Sequence, residues 1–124
     1  MAKFAPRPDS VKVGPHLFAI NWMDESEWNH ERLDDNTAGL TYSGKQTIFI
    51  RTSPDVNESQ YQEVVLHEVT HAVWSVTMMT HTDLTELSDR EEFIIAHQSP
   101  MLLQVFKDNP ELVAYLMADG NKVR

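Results

Sequence analysis

From Glu58 to Thr80 the chain carries no proline and no glycine. Tyr61, Val64, Val65, Ala72, Val73, Val76 and Met79 recur through this stretch at helical spacing, on more than one face. That pattern predicts a long, central and buried helix around which the rest must pack. Asn57 stands where a cap belongs, and Gln60 three residues on can complete a capping box.

The flanks divide by type. Residues 1–10 hold Pro6, Pro8, Lys3, Arg7 and Asp9 and read as a loose N-terminal arm. Val11 to Trp22 reads as one or two strands broken at Gly14-Pro15. The acids Asp24, Glu25, Glu27, Glu31, Asp34 and Asp35 follow, predicting a solvated loop or short surface helix with Trp28 turned inward. Residues 37–43 and 46–52 predict a hairpin turning at Ser43-Gly44-Lys45. After the central helix, Thr80 to Leu87 is a connection, and Ser88 can cap a helix with Glu91 as box partner. Pro100 ends or restarts that helix, Met101 to Phe106 continues as a third, and Asn109-Pro110 opens a last one closing near Gly120. Strands come first and helices after, so the fold class is α+β: a small N-terminal β-sheet followed by a bundle of helices. At 124 residues the chain reads as a single domain.

Composition narrows the chemistry. There are no cysteines. Disulfide frameworks and zinc ribbons are excluded, and any metal must be held by His, Asp or Glu. Nineteen acids against ten Lys and Arg give a net charge of −9, which argues against nucleic acid or an anionic membrane as partner. The longest apolar runs, such as Phe93 to Ala96, fall far short of the ~20 residues a spanning helix needs. The N-terminus lacks the apolar core of a signal peptide. A cytoplasmic protein is expected, including one made in a host cytoplasm by a virus or mobile element.

His67-Glu68-Val69-Thr70-His71 is an H-E-x-x-H motif within the central helix. Residues four apart lie on one helix face about a turn apart, so the two imidazoles can bind one zinc ion from the same side. Glu68 projects beside them, able to act as general base on a zinc-activated water without ligating the metal. Trp74, Met78 and Met79 follow at core spacing, and Trp22 and Trp28 read as core or rim packing.

A helix-borne H-E-x-x-H after a strand, with a Glu on the next helix, resembles the gluzincin clan of zinc metallopeptidases. More narrowly it is similar to the very small phage-type and mobile-element metallopeptidase-like proteins, from about residue 39 to about residue 117. The tail Gln104-Val-Phe-Lys-Asp-Asn-Pro-Glu-Leu-Val-Ala-Tyr-Leu116 shares the likeness. The resemblance implies one zincin-like domain, Zn2+ as cofactor, and hydrolysis of peptide bonds in a protein or peptide substrate.

A third ligand is then required. No glycine follows His71 at the metzincin position, so that branch fails. Glu91 and Glu92 both qualify on the next helix. The capping argument favours Glu92, because Glu91 is the natural box partner of Ser88. Glu91 is the fallback and His81 the remaining option. Oxyanion donors can come from Tyr42, His81 or His97, and spacing does not choose among them. An extended substrate can pair with an exposed strand edge, at Thr37 to Tyr42 or Thr47 to Arg51. The alternative is a binding module in which zinc is structural and a partner is held but not cut.

Overall fold

The computed structural model describes residues 4–77 and 87–124, without the side chains of Leu87, Ser88 and Asp89. Among the described residues, four strands and four α-helices run in the order β1 (Ser10–Val13), β2 (His16–Met23), α1 (Glu25–His30), β3 (Gly39–Tyr42), β4 (Thr47–Arg51), α2 (Glu58–Thr77), α3 (Leu87–Asp108) and α4 (Pro110–Met117). The class is α+β, with a small mixed sheet at the N-terminus and helices after it.

β1 and β2 form an antiparallel hairpin whose turn takes Gly14 to φ 59°, a conformation that strains residues with a Cβ. Alternation sorts the sheet into two faces. Val11, Val13, Phe18, Ile20, Ile48 and Ile50 are buried, while Leu17 and Ala19 are exposed. One face therefore carries the core and the other meets water. The strand order is β1-β2-β4-β3, with β2 and β4 parallel and β3 antiparallel to β4. Between β2 and β4 the chain passes through α1 and lays β3 outside β4. Of the two strands in the predicted hairpin, β4 is interior and only β3 has an open edge.

The acidic stretch does contain a short helix. Asp24 accepts from the Glu27 N–H (2.8 Å), and Glu27 accepts from the Asp24 N–H (3.1 Å). Trp28 is turned inward and fully buried, its indole N–H on the Asp34 carbonyl (3.1 Å).

α2 lies on the buried face of the sheet through Tyr61, Val65, Val69, Ala72 and Val73. It is not buried all round. Glu63, Leu66, His67, Thr70, His71 and Trp74 are exposed, so the central helix is half wet and Trp74 is not core. The reason is coverage. α3 and α4 fill the other end of the core through Val105, Leu112 and Tyr115, and they leave the outer face of α2 open. Met78, Met79 and the Thr80 to Leu87 connection lie largely outside the described residues.

The first turn of α2 is capped from a distance. Lys122 and Gly120 carbonyls accept from the N–H groups of Glu58 (2.8 Å) and Ser59 (2.7 Å), while Asn57 supplies a backbone carbonyl to Gln60 (3.1 Å). A Cβ at Gly120 would meet the Ser59 nitrogen at 2.7 Å, so the tail approaches this closely only as glycine.

Within the N-terminal arm, Phe4 lies against Lys122 and Arg124, and Arg7 reaches α2. Arg7 forms a two-pronged pair with Glu58, whose residue exposure is 2% (2.9 and 3.0 Å). Tyr115 and Arg124 donate to the same carboxylate (2.7 and 3.1 Å). Burial pushes the Glu58 carboxyl up, but the hydrogen bonds from Arg7 and Tyr115 outweigh it and hold the group below its ordinary value. Burial, and then the Glu58 carboxylate, push the Tyr115 phenol upward.

α3 runs unbroken through Pro100, where a helix end or restart was expected. Pro100 lacks the N–H that would bond to the Ala96 carbonyl. Both residues are exposed, so water can satisfy that carbonyl without ending the helix. Among the described residues no helix is long and apolar enough to cross a membrane.

Candidate metal and catalytic centre

His67, Glu68 and His71 occupy consecutive turns of α2 beside the open edge of β3. The two Nε2 atoms lie 3.2 Å apart, with the rings inclined at 74°. One potential ligand atom from each of the three residues falls within 4.8 Å of the others. Tetrahedral zinc with bonds of about 2.0–2.1 Å needs ligand nitrogens about 3.3 Å apart. The imidazole pair fits that bite, and its exposed face leaves room for further ligands.

Glu68 differs from its neighbours. It is 5% exposed and turns toward the sheet, whereas both histidines turn to solvent. Thr41 Oγ1–H points to Glu68 Oε1 (2.8 Å) and to the Glu68 backbone carbonyl (3.1 Å). Oε2 accepts from no protein group among the described residues.

A cleft of about 460 Å³ runs between the edge strand and the helix. Thr37, Ala38 and Gly39 line one wall, and Gln60, Val64, His67 and Glu68 the other. The Arg51 N–H bonds to the Ala38 carbonyl (3.0 Å). Antiparallel pairing alternates, so Gly39 and Thr41 turn their own N–H and C=O groups to the open edge.

No protein family, curated protein or solved structure matches the chain. The geometry must therefore speak through its own residues.

The expected third ligand is not brought to the pair. Glu92 and Glu91 are both exposed on α3, and neither joins the group of converging donor atoms. His81 and the Ser88 side chain lie outside the described residues, and α3 already includes Leu87, one residue before the expected cap. Tyr42 is an alternate residue to Gly39 and Thr41 and projects from the other face of β3, edge-on to Phe49 (5.7 Å). That placement removes it as an oxyanion donor here. His97 is exposed on α3, stacked on Phe93 (4.0 Å) with Nδ1 at 2.9 Å from the Phe93 carbonyl, and it does not join the group of converging donor atoms among the described residues. The sequence offers Thr37 to Tyr42 as a substrate edge but does not single out Gly39 and Thr41 within it. Their period-2 spacing puts them on one strand face, but which helix that face meets depends on strand order.

Proposed function

We propose that this chain is a zinc-dependent metallopeptidase of gluzincin-like type acting on a cytosolic protein or peptide. The observation that carries this reading is the pair of imidazole nitrogens 3.2 Å apart with the Glu68 carboxylate beside them. Nε2 of His67 and Nε2 of His71 would hold the ion, with a third protein ligand still to be supplied. When bound, zinc would act as a Lewis acid on the scissile carbonyl and lower the pKa of water. Glu68 takes a proton on Oε2 from the attacking water and delivers it to the departing amine nitrogen. The open edge of β3 supports an extended peptide through the backbone groups of Gly39 and Thr41, laying it along the cleft past His67.

The structural-zinc alternative draws less support. The two ligands in hand sit on one helix and face solvent, so an ion there would not tie α2 to another described element. The test is hydrolysis of an unstructured protein with added zinc. Cleavage should vanish on chelation and in Glu68→Gln, while zinc binding persists in Glu68→Gln. Full activity in that variant would remove Glu68 as the base.

A further inference from the structure

The carboxylate that would take the proton is held by the edge strand, not by its own helix. Thr41 Oγ1 reaches both the Oε1 atom and the backbone carbonyl of Glu68, at 2.8 and 3.1 Å. A hydroxyl has one proton to donate, so both ends of a single residue share it. Gly39 lies two residues earlier on the same face. A Cβ there would stand 2.8 Å from Val64 Cγ1, 3.0 Å from Glu68 Cγ and 3.1 Å from Glu68 Oε2. The Val64 contact is closer than Cβ atoms come and the Glu68 contacts are tight, so a side chain at this position would push against the α2 face that Thr41 reaches.

We propose that Thr41 is a positioning residue: it fixes Glu68 Oε1 so that Oε2, lying over Gly39 at the cleft wall, is the oxygen presented to the water. This inference rests on the reading of Glu68 as the base. A terminal carboxylate torsion is broad and roughly two-fold, so an unheld carboxylate spends time in orientations that present neither oxygen correctly. One directed hydrogen bond removes that freedom before substrate arrives.

The test compares Thr41→Val, which keeps the shape and loses the donor, with Thr41→Ser, which keeps the donor. With zinc and an unstructured protein substrate, Thr41→Val should lower kcat roughly ten- to a hundredfold, the effect of losing one hydrogen bond to a charged group. KM should stay within about twofold, because the contact is to the base and not to the substrate. Thr41→Ser should return kcat to within about threefold of the unaltered chain. In metal-free protein, a double-mutant cycle of Thr41→Val against Glu68→Met, which removes the acceptor oxygens, reads the same contact on the urea midpoint without turnover, and the two shifts should not add. Wild-type kcat in Thr41→Val, an equal loss in Thr41→Ser, or additive shifts in the cycle would each overturn the inference. If Glu68→Gln is inactive while Thr41→Val is fully active, this inference alone fails. If the unaltered chain hydrolyses nothing with zinc present, the peptidase reading fails and takes this one with it.

Discussion

Replacing Glu58 by Gln should cost more stability than any other single-atom change at the start of α2. The carboxylate is almost completely buried and accepts four hydrogen bonds, two from Arg7 and one each from Tyr115 and Arg124. It thereby joins the N-terminal arm, the first turn of α2, α4 and the last residue of the chain. Gln keeps the volume but leaves two guanidinium groups facing a neutral amide. Breaking a fully buried pair in this way costs about 3–5 kcal/mol. The Arg7 and Arg124 side chains are 24% and 31% exposed, so water recovers part of their solvation. The expected loss is therefore about 2–3 kcal/mol. For a chain of this length that lowers the melting temperature by roughly 8–12 °C. The pH dependence has a fixed sign. Glu58 is held below its ordinary value of 4.5, so its contribution is complete above that value and disappears as pH falls through the folded-state value. Thermal melts of both proteins from neutral to acid pH should show a gap that is full at neutrality and closes below about pH 4.5. A neutral-pH gap under about 2 °C, or a gap that stays constant in acid, would refute the argument.

Other expectations concern the site and the core. Zinc titrated into metal-free protein should bind with heat detectable by calorimetry, and His67→Ala and His71→Ala should each abolish that binding. Because both imidazoles are exposed, each metal-free variant should melt within about 2 °C of the unaltered chain. Gly39→Ala should destabilise by about 1–3 kcal/mol, measured by urea unfolding, because its Cβ drives into Val64 and Glu68. Leu112→Ala should cost about 2–5 kcal/mol in the same assay, since Leu112 is fully buried between α4 and the core.

What the sequence made legible follows the range of the interactions. The break at Gly14-Pro15, the inward turn of Trp28 and the strand signal of the β-branched and aromatic residues in 46–52 are local, and the structure contains all three. The His67–His71 proximity is likewise a property of one helix, readable from spacing alone. Long-range choices were not readable. Nothing near Thr47 announces that β4 pairs in parallel with β2 and leaves β3 at the edge. Nothing near Asn57 announces that the chain returns from Gly120 and Lys122 to cap α2. The valines of α2 suggested burial on several faces, yet which face is covered depends on where α3 and α4 settle. Thr41 is an ordinary strand residue until the edge strand is set against α2.

α2 buries two glutamates, and their surroundings differ in kind. Glu58 has both oxygens filled by donors from three side chains, two of them cationic, which is how a buried carboxylate is reconciled with a folded core. Glu68 receives one neutral hydroxyl, and its second oxygen has no protein donor among the described residues. It stands beside Val65, Val69 and Ala72, where packing alone would favour an aliphatic side chain. A carboxylate with a single side-chain donor is less fully satisfied than Glu58, which has four. On the peptidase reading proposed above, the acid at this position serves the cleft side, where the two imidazole nitrogens converge. The general base proposed above needs an oxygen open to accept a proton; among the described residues Glu68 Oε2 has no protein donor, whereas both oxygens of Glu58 are filled.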